Sequence, residues 1–491
     1  MTDPQMPATE RPEPRAPTML WALVPIVALV AMLAAAYGLY GDEAALGANQ
    51  IALMLAAVIA AMVGLRCGHS FDEMREAAIA SVNTGLTALF ILLAVGALIG
   101  TWAMSGTLVA MVYWGLQILS PDYFYFTVVL ICAATALVIG SSWTVAGTIG
   151  IGLMGVAAQM GLNPAITAGA IISGAYFGDK SSPLSDATNL ATAAAGAKLY
   201  DHIIETLWTS VPTLLVCLVV FWLLGAPGEF DASAITEGLA ANFNVGFIPF
   251  VPLILVLGLA VARVPPFLTI FVGALAGGIV AVIISPDSVA AAADDTGLPH
   301  ALQMIKGVWT ALASGFVSDT GSPGLDQLLS RGGMESMLIT IWLILSALSF
   351  GGVVDKIGAL DRVLAPVLKA ADTTGKLIGA LVAAALGTNI LASDQYIAIV
   401  LPGKLFQRAF RKMGLAPVVL SRAVGDSATV TSALVPWNSC GAYMAATLGV
   451  ATVNYLPFAF FNILNPLVTI LFGVMGWRML RSDTPKAAAA E

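Results

Sequence analysis

Gly178-Asp179-Lys180-Ser181-Ser182-Pro183-Leu184-Ser185-Asp186-Ala187-Thr188-Asn189 is a dense polar stretch set in an otherwise greasy region of the chain. Ala165 to Phe177 before it and Leu190 to Gly196 after it are small-residue runs without charge. The pattern predicts a membrane helix that is interrupted. Two carboxylates, an ammonium group and several hydroxyl and amide oxygens are offered at the break, beside backbone groups released from helical bonding. In lipid such a break survives only if it is buried in protein or lines a watery cavity, and an ionisable residue there marks a functional site by default. The competing reading is an exposed loop in which Asp186 caps the following helix. Features of the second half of the chain argue against it.

Apolar residues make up 58% of the 491-residue chain and charged residues 10%, with a mean hydropathy of +0.90. No water-exposed globular surface can be built from this composition, so the chain reads as an all-α polytopic membrane protein with room for about ten to twelve spans. The net charge of −8 says little, because orientation follows where Lys and Arg fall. Cys67, Cys132, Cys217 and Cys440 stand singly among apolar or small neighbours and read as small core residues. His69, His202 and His300 lie far apart, in no metal-ligand spacing, and no nucleophile elbow or other catalytic motif occurs, which weighs against a membrane enzyme. A repeated filter sequence or pore-lining charge ring, as a channel needs, is also missing from the sequence. No cofactor and no nucleic-acid partner is expected. Lipid is the expected surrounding, and the composition is compatible with an oligomer.

Residues 1–17 are Pro-rich and charged and read as a disordered tail. A first transmembrane repeat is expected over 18–225, an acidic external connector over 226–246, a second repeat over 247–480 and a short tail over 481–491. Arg11 and Arg15 at one end, and Arg478, Arg481 and Lys486 at the other, place both termini in the cytoplasm, beneath a bacterial inner membrane. Phe71 to Val82 is expected as an interfacial helix leading into a span from Gly85 to Met104. Ser285 to His300 reads as loop, Ala301 to Gly333 as interfacial or re-entrant, and Arg263-Val264-Pro265-Pro266 as a hinge on the inner side.

An internal repeat is visible. Gly161-Leu162-Asn163-Pro164 recurs as Gly414-Leu415-Ala416-Pro417, and at the same offset of 253 Pro183 falls on Pro436. The segment from Lys356 to Lys376 carries four basic residues, whereas its counterpart from Met104 to Phe124 carries none. If basic loops lie inside, matching loops lie on opposite faces, which is an inverted repeat with broken helices of the two halves meeting near the midplane. The pairing sets Asp394 against Ser141, and Asn438 and Ser439 against Ser185 and Asp186. Arg422 and Asp426, four apart in an apolar helix, share a face and could pair, either as a structural ion pair or in a transport role. Lys180 could neutralise Asp179, bind an anion or snorkel outward.

The stretch from Gly178 to Ala191 resembles the signature of the NhaC family of sodium/proton antiporters, within the wider ion-transporter superfamily. Similar in the same way are Ser393-Asp394-Gln395-Tyr396, Leu401-Pro402-Gly403-Lys404, Leu420-Ser421-Arg422 with Asp426, Leu434-Val435-Pro436-Trp437-Asn438 and Asn454-Tyr455-Leu456-Pro457-Phe458. The resemblance runs from about Phe71 to Pro466 and departs at Ser181, where a bulkier apolar residue is common. It implies a sodium- and proton-coupled carrier of about a dozen helices, in a family whose cargo also includes malate with lactate and, by proposal, amino acids.

The residue chemistry fits that expectation independently. Sodium is a hard cation that prefers oxygen ligands. A carboxylate taken out of water holds either a proton or a cation, so the two compete for one group. Asp179 and Asp186 are the leading candidates to bind sodium and protons, then Asp394, with Ser185, Asn189 and Asn438 as neutral ligands. Lys180, Arg422, Asp426, Thr188 and Ser439 are candidates for substrate binding or charge compensation. The alternative cargo is a small organic anion or an amino acid.

Overall fold

A computed structural model describes residues 14–225, 231–295, 297–318, 326, 329–369 and 371–482. Most of both expected tails, and residues 226–230 of the acidic connector, lie outside the described residues. Among the described residues there is no β-strand, only two isolated bridges, Phe316 with Arg331 and Leu415 with Arg481.

The first part runs through α1 (Met19–Tyr40), α2 (Ala48–Arg66), α3 (Phe71–Met104), α4 (Thr107–Ile118) and α5 (Phe124–Ile139). Then α6 (Ser142–Val145) continues through a π turn (Ala146–Gly150) into α7 (Ile151–Gln159), followed by α8 (Pro164–Ser181), α9 (Asp186–Ala195) and α10 (Leu199–Leu223). A middle group comprises α11 (Ser233–Asn242), α12 (Val251–Val261), α13 (Pro266–Ile284), α14 (Pro286–Ala293) and α15 (His300–Ala313). The last part holds α16 (Leu338–Lys356), α17 (Ala359–Lys369), α18 (Thr374–Leu391), α19 (Gln395–Lys412) and α20 (Pro417–Val424), which runs into a second π turn (Gly425–Thr429). It ends with α21 (Ser439–Leu448), α22 (Thr452–Tyr455) and α23 (Phe460–Met475). Among the described residues eight helices are long and apolar enough to cross a membrane, and two bent pairs raise the number to ten. This is an integral membrane protein.

Two expectations change. Phe71 to Met104 is one unbroken helix of 34 residues, not an interfacial helix followed by a span. Ser70 caps it by accepting from the Glu73 N–H (3.2 Å). Gly85, which looks like a boundary, is instead a packing site, since a Cβ there would lie 2.3 Å from Leu348 Cδ1. Within the stretch 285–300, expected to be loop, Pro286 starts α14, which buries Val289 and Ala293.

Small residues bring α8 and α5 into backbone contact. A Cβ on Gly174 would sit 2.4 Å from the Val129 carbonyl oxygen, and one on Gly178 2.5 Å from that of Ala133. Glycines four apart give one helix face on which a neighbour can lie directly, a common way to pack helices where the hydrophobic effect between them is weak.

Backbone conformation recurs at the offset seen in the sequence. Left-handed residues occur at Gly106 and Gly358, Gly140 and Ser393, Gly161 and Gly414, and Gly196 and Gly449, with φ between 59° and 76°. The helix caps recur too: Ser141 matches Asp394, and Ser185 matches Asn438.

Candidate functional site

The break after α8 is shorter than its polar sequence implies. The helix carries on through Asp179 and Lys180, and the interruption is confined to Ser182–Ser185. It crosses the break between α5 and α6. Gly140, at φ 76°, lies so close that a Cβ would be 2.7 Å from the Leu184 carbonyl carbon. Beyond this crossing Ser142 donates to Asp179 Oδ2 from both its N–H (3.1 Å) and its hydroxyl (2.7 Å), while the Ser185 hydroxyl donates to Oδ1 (2.5 Å). Asp179 is 7% exposed, so three donors hold a nearly buried carboxylate in one orientation. Thr188 ties the crossing together by donating to the carbonyls of Asp179 (3.3 Å) and Lys180 (3.0 Å).

The second half builds the same crossing. Asp394 is the cap of α19, accepting from the Ile397 N–H (2.9 Å), and is 2% exposed. The Ser439 N–H donates to the Ser393 carbonyl (3.0 Å). Ser393 takes, at φ 59°, the left-handed conformation that glycine holds in the first half. A non-glycine residue is held there at a cost of about 1 kcal/mol. Ser393→Gly is therefore expected to raise the thermal midpoint slightly, whereas Gly140→Ala, which adds a collision to the strain, lowers it sharply; both are read by melting in detergent. Trp143 stacks on Tyr443 (centroids 4.0 Å apart), whose hydroxyl donates to the Trp143 carbonyl (2.8 Å), so the two crossings are joined.

Between them lies a cavity of about 520 Å³ whose lining includes Asp179, Asp186, Asn189, Asp394 and Ser439. It is closed in part by Thr84 and Thr87 of α3 and by the hinge Arg263–Pro266, with Trp143 and Tyr396 as aromatic walls. Asp186 and Asn189 are exposed within it, and the Asn189 amide donates to the Ser185 carbonyl (2.8 Å). Asn438 lies elsewhere: fully buried, it spends its oxygen on the Cys440 N–H (3.0 Å) and its amide N–H groups on Asn389 (3.1 Å). Among the described residues no three His, Cys, Asp or Glu side chains converge closely enough to hold one metal ion. The three aspartates thus share a cavity, not a point.

Lys180 turns away from this cavity. It forms an ion pair with Asp426 and donates to Asn465 Oδ1 (2.6 Å), while the Thr469 hydroxyl donates to Asp426. Lys180 is 1% exposed and Asp426 not at all. The pairing of Arg422 with Asp426 that their spacing allows is not formed. The π turn begins at Gly425, so the helical register that would align positions four apart is lost between them. Arg422 instead donates to Glu205 (3.3 Å) and to the Arg478 carbonyl (3.3 Å), and Arg478 also pairs with Glu205. His202 completes this buried set, with its Nδ1 2.9 Å from the Ser421 hydroxyl. Glu205 and Asn465 are not among the residues the sequence singles out, although the Asn465-Pro466 pair inside the apolar run of α23 is a usable signal.

The chain is similar in sequence to known proteins over most of its length. A model of the Na+/H+ antiporter family matches residues 174–477. The Na+/H+ antiporter NhaC of Alkalihalophilus pseudofirmus is 37% identical over 431 residues, covering 87% of this chain and 90% of its own length. The arginine/ornithine antiporter ArcD of Halobacterium salinarum is 33% identical, covering 96% and 95%, and the malate-2H+/Na+-lactate antiporter of Bacillus subtilis is 32% identical, covering 87% and 89%. A family match over more than half of the chain, with a relative 37% identical across 87% of it, establishes that the chain belongs to the Na+/H+ antiporter family.

Proposed function

We propose that the protein exchanges sodium for protons by alternating access, with Asp179 as the principal cation-binding carboxylate. The observation that carries this is a nearly buried carboxylate, oriented by three donors, on the wall of a cavity formed where two broken helices cross. Each carboxylate oxygen can accept beyond the bonds it already makes, so sodium at Asp179 would draw its other ligands from cavity hydroxyls, carbonyls and water. Asp394 faces the same space from the second half, and Asp186 attracts cations into it. The two halves act as inverted repeats about this cavity. Both termini lie in the cytoplasm, beneath a bacterial inner membrane, and the basic hinge at Arg263 lies on that same side.

The cavity volume favours a second reading. About 520 Å³ far exceeds the roughly 30 Å³ of one water molecule, and Arg263 stands on the wall together with three carboxylates. A zwitterionic or anionic organic cargo coupled to sodium would fit.

Fluorescence dequenching in everted vesicles with an imposed proton gradient tests the first reading. Sodium is expected to evoke dequenching and potassium not. A wild-type protein silent to sodium but active in counterflow of labelled malate, lactate or an amino acid would establish the second instead.

A further inference from the structure

Several exposed bases of this chain sit beside acids: Arg75 pairs with Asp72 (3.2 Å), Lys306 with Asp295 (3.3 Å) and Lys376 with Asp372 (2.8 Å). Helix α19 departs from that habit. From Gln395 to Lys412 it carries Lys404, Arg408, Arg411 and Lys412 and no acidic residue. With 3.6 residues per turn the four bases fall within about 100° of one another around the helix. All four are exposed. The opposite face buries Gly403, Phe406 and Phe410, and a Cβ on Gly403 would lie 2.9 Å from that of Ala194 in α9. The Gln407 amide donates to the Ala194 carbonyl (2.6 Å), so α9 grips one side of α19 and leaves the bases on the other. None of the four has a carboxylate partner among the described residues; Arg411 reaches only Gln407 Oε1 (3.4 Å). The elements packed against α19 offer no acid to serve them: α18 and α20 carry none, Asp186 of α9 lies at the cavity and Asp426 is taken by Lys180. Arg481, also exposed, adds a fifth cation by donating to the Met413 carbonyl (2.7 Å) at the end of the same helix.

Depth in the bilayer says what covers this stripe. Asp394 caps the start of α19 on the wall of the cavity. At 1.5 Å per residue Lys404 stands about 15 Å along the helix from that cap, Arg408 about 21 Å and Lys412 about 27 Å. The hydrocarbon core of a bilayer ends about 15 Å from its midplane and the headgroup layer about 22 Å from it. With the helix breaks near the midplane, the stripe rises from the edge of the hydrocarbon through the headgroups. Topology alone asks for basic residues near one membrane surface, but not for an acid-free row along one face of a helix that reaches the cavity. We infer that the stripe binds the headgroup of an anionic phospholipid, with its phosphate between Arg408 and Arg411 and with Lys404 reaching up from below. Forked guanidinium donors suit phosphate oxygens. Lys404, at the hydrocarbon edge, is out of reach of a water-soluble acidic protein, whereas its ammonium meets a lipid phosphate by snorkelling. Because α19 is continuous from Lys412 back to its cap, a lipid held there also fixes the depth of Asp394.

This site lies outside the cavity and holds for either cargo. Full-length protein, immobilised in detergent, is titrated with phosphatidylglycerol labelled in its acyl chain, and separately with phosphatidylcholine labelled in the same way. Wild type is expected to bind phosphatidylglycerol more tightly by about tenfold or more. A base near an anionic headgroup is worth about fivefold in affinity, so Arg408→Gln together with Arg411→Gln is expected to weaken phosphatidylglycerol binding about 25-fold and to leave phosphatidylcholine binding unchanged. Arg75→Gln, at an exposed base already paired with Asp72, is the control and changes neither. Equal affinity of wild type for the two lipids, or an undiminished affinity in the double variant, would overturn the inference. So would displacement of the labelled lipid by millimolar inorganic phosphate, which would assign the stripe to free anions. Should the double variant not fold, the salt dependence of wild type decides. Raising sodium chloride from about 0.05 to about 0.5 M is expected to weaken phosphatidylglycerol binding several-fold, and an affinity indifferent to salt would overturn the inference equally.

Discussion

Asp179→Asn is expected to abolish sodium-evoked dequenching while leaving the folded protein in the membrane. The amide keeps the size of the carboxylate but loses its charge, and turns an NH₂ group toward one of the donors from Ser142 and Ser185. Leaving a nearly buried cation without its counter-charge costs about 3–5 kcal/mol, which lowers sodium affinity by about 100-fold or more. Asp186→Asn should behave differently. Its side chain is exposed within the cavity, and a solvent-screened charge contributes about 0.2–1 kcal/mol, so the half-saturating sodium concentration rises by no more than about fivefold. Asp394→Asn separates charge from architecture, because Asn caps a helix as well as Asp does and α19 stays intact. Equal losses at positions 179 and 186 would refute this ranking.

The largest effect on stability is expected from Gly178→Val. A Cβ at this position lies 2.5 Å from the Ala133 carbonyl oxygen, the Ala136 Cβ and the Leu137 nitrogen, and backbone atoms cannot yield as a flexible side chain can. Overpacking of this kind costs about 3 kcal/mol or more, and here it forces apart the two helices that carry Asp179 and the Gly140 turn. Size-exclusion chromatography in detergent should show loss of the monodisperse peak. Gly379→Ala is the matching control, with nothing within 4 Å of the added Cβ, and gains up to about 1 kcal/mol from helix propensity. A well-folded Gly178→Val protein with wild-type melting would contradict the close packing of α5 and α8.

Much of this arrangement is legible in the chain. Polar residues in a greasy background locate both breaks, and the offset of 253 pairs them before any coordinate is known. That works because a break in lipid demands oxygen atoms, and oxygen-bearing residues are easy to see. Partnerships are harder to read. Lys180 and Asp426 are separated by 246 positions, and the helical spacing that suggests Arg422 for Asp426 assumes an unbroken register that the π turn removes. Burial is also hidden. Asp179 and Asp186 look equivalent in sequence, yet one is the last-turn residue of α8 held by three donors and the other opens a new helix into the cavity. The continuity of α3 is hidden because Gly85 serves a neighbour's side chain and not its own backbone.

The stack of Trp143 on Tyr443 has a mechanical consequence. Two parts pinned face to face and fastened by a hydrogen bond turn together, so the paired crossings behave as a fixed axle and not as jaws that open. On the proposed exchange mechanism, the part expected to move is therefore the panel bearing Thr84, Thr87 and the Arg263–Pro266 hinge, which lines the same cavity.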